Sequence, residues 1–65
     1  MKIIVNGVKA DVLACDLAAA LEELGYGGAA VATALNEAFV PGALRASTSL
    51  SNGDRLEIVA PKQGG

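Results

Sequence analysis

Histidine and tryptophan are absent from the sequence, and Cys15 is its single cysteine. One cysteine cannot form a disulfide within the chain, and without histidine the usual Cys/His zinc sites cannot be completed. No pair of a nucleophile and a base, and no pair of carboxylates suited to acid–base chemistry, is recognisable. These absences predict a protein with no metal site, no stably bound cofactor and no catalytic residues of its own.

The sequence also has no large excess of one charge sign and few aromatic side chains. Five Lys and Arg oppose seven Asp and Glu, giving a net charge of −2, and the aromatic residues are Tyr26 and Phe39. Nucleic-acid binders need clustered cations or aromatic platforms, so this class is disfavoured. No apolar run approaches the roughly 20 residues that cross a bilayer. We therefore expect a cytoplasmic protein with no nucleic-acid partner and no membrane segment.

Apolar side chains, in contrast, are abundant. They make up 52% of the 65 residues, which is typical of a chain that folds. The length allows one small domain. The apolar patterning stops after residue 60, so we expect a domain over residues 1–60 and a flexible tail over residues 61–65 that ends in Gly-Gly.

The first 25 residues predict a β-hairpin followed by a helix. Residues 3–5 are β-branched, and an Asn-Gly pair at 6–7 follows them, the dipeptide that favours a type I′ turn. Residues 8–12 alternate between apolar and polar, as half-buried strands do. Apolar residues then recur at helical spacing over residues 17–24, with Asp16 placed to cap the helix and Gly25 placed to end it.

The rest of the chain is predicted to return to strands. Residues 31–40 suggest two short strands around an Asn-Glu turn, the second halted by proline. Residues 42–51 suggest an irregular connection or one 3₁₀ turn packed by Leu44 and Leu50. Residues 55–60 follow an Asn-Gly-Asp turn and predict the last strand.

This order of elements, ββαβ(β)β, predicts an α+β fold with a mixed sheet of four to five strands and one helix on one face. It fits the β-grasp, or ubiquitin-like, fold, in which the first and last strands lie parallel at the centre. Alternation then places Ile4 and Val59 together on the uncovered face, where we expect them to dock partner proteins. Phe39 is expected to pack in the core.

Four segments form an ordered set of motifs that spans nearly the whole chain. They are Ile-Ile-Val-Asn-Gly at 3–7, Leu-Asn-Glu-Ala-Phe-Val-Pro at 35–41, Asn-Gly-Asp-Arg-Leu-Glu-Ile-Val at 52–59, and the closing Gln63-Gly64-Gly65. Together they resemble the sulfur carrier proteins of thiamine biosynthesis, the ThiS family. Members of that family often carry a basic residue after the proline of the Phe-Val-Pro motif. Gly42 stands there in this chain, with Arg45 three positions on as a candidate substitute.

The resemblance implies a carrier and co-substrate rather than an enzyme. A ThiF-like adenylating enzyme would join AMP from ATP to the carboxylate of Gly65. Sulfur derived from a cysteine desulfurase would displace the AMP, and the resulting thiocarboxylate, a 1-thioglycine, would be delivered to a ThiG-like thiazole synthase. Gly64 and Gln63 would form the access segment of the tail, in which Gly64, lacking a Cβ, lets a partner's backbone approach the carboxylate closely.

Other interpretations stay open. The chain is also compatible with a MoaD-like small subunit of molybdopterin synthase, a sulfur carrier of another pathway, a conjugated modifier, or a β-grasp interaction module without a carrier role. Cys15 is an alternative sulfur-bearing residue, since a helix N-terminus lowers the pKa of a nearby thiol. Asp16 beside it opposes ionisation, so we expect Cys15 to be a half-buried structural residue.

Overall fold

The computed structural model describes residues 1–60 of the chain. Its strands are β1 (Lys2–Val5), β2 (Val8–Asp11), β3 (Ala32–Leu35), β4 (Ala38–Val40) and β5 (Arg55–Val59). The helix α1 spans Leu17–Glu23, and a 3₁₀ helix spans Gly42–Ser47. The described residues thus form the predicted α+β fold. Residues 31–40 contain the two short strands β3 and β4, as expected.

The five strands form one mixed sheet in the order β2-β1-β5-β3-β4. The central strands β1 and β5 are parallel, with Val5 in register with Leu56. The other three neighbouring pairs are antiparallel. A parallel pair of first and last strands at the centre defines the β-grasp arrangement, so the predicted topology is confirmed.

The core lies between one face of this sheet and α1. Its buried apolar residues are Ile3, Val12, Leu17, Ala20, Leu21, Val40, Leu50, Leu56 and Ile58. In β5 the alternation is strict: Leu56 and Ile58 are buried, while the residues between and beside them are exposed. Burial of this apolar area supplies the main driving force for folding, and among residues 1–60 no helix or second sheet covers the opposite face.

The ends of α1 are closed by side-chain and backbone hydrogen bonds. The carboxylate of Asp16 accepts a hydrogen bond from the backbone N–H of Ala19 at 2.8 Å. At the other end Gly25 has a φ of +95°, and the N–H of Tyr26 bonds the carbonyl of Leu21 at 2.8 Å. The capping roles predicted for Asp16 and Gly25 are therefore confirmed, and half-buried Tyr26 packs against the core at the helix end.

The 3₁₀ helix packs on the protein differently from the way we expected. Leu50 is buried in the core, but Leu44 is exposed, so the prediction that both leucines pack this segment is wrong for Leu44. The 3₁₀ helix buries none of its own side chains. The carbonyl of Leu44 instead accepts hydrogen bonds from the hydroxyls of Ser47 and Thr48, at 3.1 and 2.7 Å. The 3₁₀ helix is thus stabilised by backbone and hydroxyl hydrogen bonds rather than by burial of its own apolar side chains.

Both hairpins turn through left-handed backbone. Asn6 and Gly7 have φ values of +49° and +83°, and Asn36 and Glu37 have values of +50° and +72°. Positive φ at both central positions is the signature of the type I′ turn. Glycine adopts it freely and asparagine tolerates it, whereas a residue such as Glu37 is strained by about 1 kcal/mol or more.

Replacing Glu37 with glycine should therefore stabilise the fold. We expect Glu37→Gly to raise the free energy of unfolding by about 0.5–1 kcal/mol, because relief of the strain exceeds the entropy that glycine adds to the unfolded chain. The ion pair that is lost, with Arg55 at 3.6 Å, is exposed and contributes little. Urea unfolding measures the change. The control Ala38→Gly, in an ordinary strand conformation, should destabilise by a similar amount; equal losses in both variants would contradict the prediction.

Candidate functional site

Three of the predicted site residues, Gln63, Gly64 and Gly65, lie outside the described residues 1–60. The structure does define the strand that precedes them, because β5 ends at Val59. The candidate site is therefore described through β5, the residues that hydrogen-bond β5, and the sheet face on which Val59 lies.

On one side β5 is paired with β3 from Leu56 to Val59. The antiparallel register runs from Leu35 opposite Leu56 to Ala32 opposite Val59. On the other side the parallel pairing with β1 is shorter, since β1 ends at Val5 opposite Leu56. The last residues of β5 consequently extend past the end of β1, and their polar backbone groups need another partner there.

That partner is the side chain of Asn6. Its Oδ1 accepts a hydrogen bond from the N–H of Ile58 at 2.8 Å, and its Nδ2 donates to the carbonyl of Ile58 at 3.2 Å. The backbone N–H of Asn6 bonds the carbonyl of Leu56 at 2.9 Å. The side-chain amide thus continues the parallel ladder after the backbone has turned away. We call this pair of bonds between the Asn6 side chain and Ile58 the Asn6 clamp.

A second asparagine acts in the same way at the opposite end of β5. Asn36 Oδ1 accepts from the N–H of Arg55 at 3.0 Å, and the Asn36 N–H donates to the carbonyl of Arg55 at 2.7 Å. Its Nδ2 donates to Asp54 Oδ1 at 3.0 Å. The sequence identified Asn6 and Asn36 only as turn residues. The signal that was missed is that each belongs to a turn beside the central strand, where a side-chain amide can pair with that strand.

Ile4 and Val59 both point to the uncovered face of the sheet, which we call the open face. Val59 is 63% exposed, and Ile4 is half-buried. Ile4 is in register with Arg55, four residues before Val59, which separates the two side chains by about 13 Å along the strand. The expectation that they lie side by side is therefore wrong, because the parallel register pairs the middle of β1 with the start of β5.

Phe39 is exposed on the same face, at 69%, so the prediction that it packs in the core is wrong. The buried position of β4 is taken by Val40, and alternation then directs Phe39 outward. Phe39 pairs with Ala34, and Ala32 pairs with Val59. We call the surface formed by Val59, Ala32, Ala34 and Phe39 the apolar patch.

Charged side chains surround Ile4 on the other half of the open face. A depression of about 220 Å³ beside it is lined by Ile4, Gly7, Glu37, Arg55, Leu56 and Glu57. A wider groove of about 790 Å³ follows β1 and β2 and includes Lys2 and Asp11. A hydrogen bond from the amino terminus, together with the charge of Lys2, holds the pKa of Asp11 below its ordinary value. The open face thus has an apolar half near Val59 and a charged half near Ile4.

Arg45 is engaged within the fold. Its Nη2 donates to the carbonyl of Val31 at 2.6 Å, and its Nε donates to Thr33 Oγ1 at 3.1 Å. The Thr33 hydroxyl is buried and donates in turn to the carbonyl of Val40 at 2.8 Å. Arg45 therefore hydrogen-bonds the buried Thr33 hydroxyl and a backbone carbonyl of this chain, which argues against its serving as a substitute for a partner-contacting residue at Gly42.

Cys15 is exposed rather than half-buried as expected. Its backbone carbonyl accepts a hydrogen bond from Leu50 at 2.9 Å, so the backbone, not the thiol, holds this position in the fold. Within the described part of the chain no cluster of His, Cys, Asp or Glu could hold a metal ion. Residues 1–60 also contain no helix of the length and apolarity needed to cross a membrane.

The sheet order, the single covering helix and the open face define a ubiquitin-like protein of the β-grasp class. The chain belongs to the ThiS family, whose model it matches over residues 3–65. It is similar to the solved structure of a thiamine biosynthesis protein (ThiS) from Geobacter metallireducens, with a TM-score of 0.83 and 25% identity over the whole of both chains. A search of curated proteins finds no match. Membership assigns the chain a non-catalytic sulfur carrier role in thiamine biosynthesis, in association with enzymes of that pathway.

Replacing Arg45 tests its structural role. Arg45→Ala should lower the free energy of unfolding by about 2 kcal/mol, because the Val31 carbonyl and the Thr33 hydroxyl lose a charged donor. For a domain of this size the melting temperature should fall by roughly 8–16 °C. The control Arg55→Thr removes an exposed arginine from a strand, and its effect should stay within about 0.5 kcal/mol. An unchanged stability of Arg45→Ala, with weakened partner binding, would overturn this assignment.

Proposed function

We propose that the chain carries sulfur as a thiocarboxylate on Gly65. The observation that carries the proposal is the family match, which extends through Gly65 and so includes the closing Gly-Gly. Gly64 gives a partner's active site close access to the terminal carboxylate, since glycine lacks a Cβ that would obstruct the approach. We assign Gln63 to the same access segment because it directly precedes the two glycines. The carrier is a co-substrate, and the adenylation and sulfur transfer are performed by partner enzymes.

Two substitutions and one reduction convert the carboxylate into a sulfur donor. At pH 7 the carboxylate is ionised and is a poor electrophile, so its oxygen first attacks the α-phosphorus of ATP and pyrophosphate leaves. The terminal sulfur of an enzyme persulfide, charged by a cysteine desulfurase, then attacks the carbonyl carbon and AMP leaves. A thiol reductant cleaves the sulfur–sulfur bond of the acyl disulfide, which releases the 1-thioglycine at Gly65.

The partners that we propose are a ThiF-like adenylating enzyme and a ThiG-like thiazole synthase. We assign the general acid–base and nucleophilic steps to these enzymes, since the sequence has no histidine and no recognisable pair of a nucleophile and a base. Persulfide chemistry requires reduced thiols, which favours the cytoplasm as the site of the reaction.

Docking on the open face would bring these enzymes to the terminus. Val59 is six residues before Gly65 in the sequence, so a partner that covers Val59 lies within roughly 20 Å of the carboxylate along an extended chain. We propose that Val59 and Ile4 both contact partners, Val59 through the apolar patch and Ile4 beside the charged half of the face. Phe39 joins this docking surface because it is exposed on the same patch.

Intact mass of the protein recovered from its native host tests the carrier role. We expect a mass gain that corresponds to one oxygen replaced by sulfur, located at Gly65 by fragmentation and insensitive to a thiol reductant. The variant Cys15→Ala should retain the gain, and a variant lacking Gly64 and Gly65 should lose it. Reductant-sensitive sulfur on Cys15, or an unmodified terminus in the presence of the adenylating enzyme and sulfur donor, would contradict the proposal.

The thiamine pathway is distinguished from the other sulfur-transfer pathways by the acceptor. A thiocarboxylate form of the protein should support thiazole formation with a ThiG-like synthase and should not support molybdopterin formation with the large subunit of molybdopterin synthase. The reverse pattern would assign the chain to the MoaD-like role, and a ladder of lysine conjugates in lysate would assign it as a modifier.

Substitution of Val59 tests the docking surface. Val59→Asp should weaken binding to the adenylating enzyme and to the synthase by about tenfold or more, because docking would bury an unpaired carboxylate. Val59 is exposed in the free protein, so the fold should be retained. The matched control is Val8→Asp, since Val8 is similarly exposed, at 68%, but lies off the open face. Calorimetric titration gives the affinities; equal behaviour of the two variants would remove Val59 from the docking surface.

A further inference from the structure

We propose that Asn6 is a positioning residue for the reaction at Gly65, because the Asn6 clamp fixes the end of the strand that leads to the terminus. The proposal rests on the carrier function proposed above. It assigns to a hairpin turn at the start of the chain a role in chemistry at the opposite end.

The clamp pairs both polar backbone groups of Ile58. The N–H and carbonyl of Ile58 face the side of β5 on which β1 has already ended, so β1 offers them no backbone partner. Asn6 Oδ1 and Nδ2 meet them at 2.8 and 3.2 Å. Without this side chain, the residues past Leu56 would be hydrogen-bonded to β3 alone.

The clamped residue directly precedes the docking surface. Val59 belongs to the apolar patch, and its register with Ala32 holds it on the β3 side while Ile58 is held on the β1 side. Because Ile58 and Val59 are both fixed, the direction of the end of β5 is set relative to the sheet face that a partner would cover. A partner that binds an unclamped chain must order these residues itself, which costs conformational entropy at the moment of binding.

Only asparagine combines the two properties that the clamp needs. Its backbone tolerates the left-handed φ of +49°, and its amide offers one acceptor and one donor to the two groups of Ile58. Glycine keeps the turn and removes both bonds. Aspartate keeps the turn and the acceptor but sets a carboxylate oxygen against the Ile58 carbonyl.

Asn36 provides the matched control. It has nearly the same φ, +50°, and bonds the N–H of Arg55 through its side chain at the beginning of β5. Asn36→Gly therefore imposes a comparable loss of strand pairing on the fold without touching the end of β5 near the terminus. An effect shared by Asn6→Gly and Asn36→Gly reports stability, whereas an effect of Asn6→Gly alone reports positioning.

The experiment is ATP–pyrophosphate exchange catalysed by a ThiF-like adenylating enzyme from the same organism, with each carrier variant as co-substrate. The full-length chain is used, at a temperature where circular dichroism shows every variant folded. Hydrogen exchange of the Ile58 amide is measured in parallel. Asn6→Asp serves as a second variant should Asn6→Gly fail to fold.

For Asn6→Gly we expect the KM of the carrier to rise about tenfold, a factor that corresponds to ~1.4 kcal/mol, with kcat within twofold of the original value. Asn36→Gly should change KM by less than twofold. The Ile58 amide should lose protection in Asn6→Gly and keep it in Asn36→Gly. Asn6→Asp retains the acceptor for that amide, so it should raise KM through the lost bond to the Ile58 carbonyl while the amide stays protected.

Equal KM values for Asn6→Gly and Asn36→Gly, or an Ile58 amide still protected in Asn6→Gly, would overturn the positioning role alone. Absence of exchange with the unaltered chain would overturn the carrier function, and the positioning role with it. The two failures are therefore distinguishable.

Discussion

The hydrogen bonding of β5 on both of its sides is the constraint on which the rest of the structure depends. As the central strand it joins the hairpin formed by β1 and β2 to the hairpin formed by β3 and β4. Each hairpin contributes a turn asparagine, Asn6 or Asn36, that extends this pairing beyond the backbone ladder. Leu56 and Ile58 meanwhile complete the core beneath α1. One short strand thus unites the two halves of the sheet and closes the core.

The described residues of this small domain cover one face of the sheet and leave the other open. The single helix is used on the core side, where Leu17 and Leu21 pack against the central strands. On the open side, small alanines in β3 separate the exposed side chains of Val59 and Phe39. The apolar patch is therefore bordered by small side chains near the end of β5.

Local signals in the sequence predicted most of the fold. The Asn-Gly pair, the capping of Asp16, Gly25 at the helix end and the alternation in β5 each depend on neighbours within a few residues. Three features were not predicted because they depend on which elements lie alongside each other and in what register, which composition does not encode. They are the face to which Phe39 points, the exposure of Leu44, and the distance between Ile4 and Val59. The second role of Asn6 escaped prediction for the same reason, since Ile58 is 52 residues away. Gly65 was assigned by resemblance, because a terminal carboxylate has no local pattern of its own.

The central position of the last strand has a consequence for synthesis. The edges of β1 and β3 that face each other have no partner until β5 is inserted between them, so a nascent chain on the ribosome cannot complete its sheet until almost all of it has emerged. A chain interrupted before β5 lacks Leu56 and Ile58, and therefore much of its core, as well as Val59. Such a fragment is exposed to proteolysis. The topology thus makes folding itself a check that β5 has been synthesised, and few folded molecules would lack Val59.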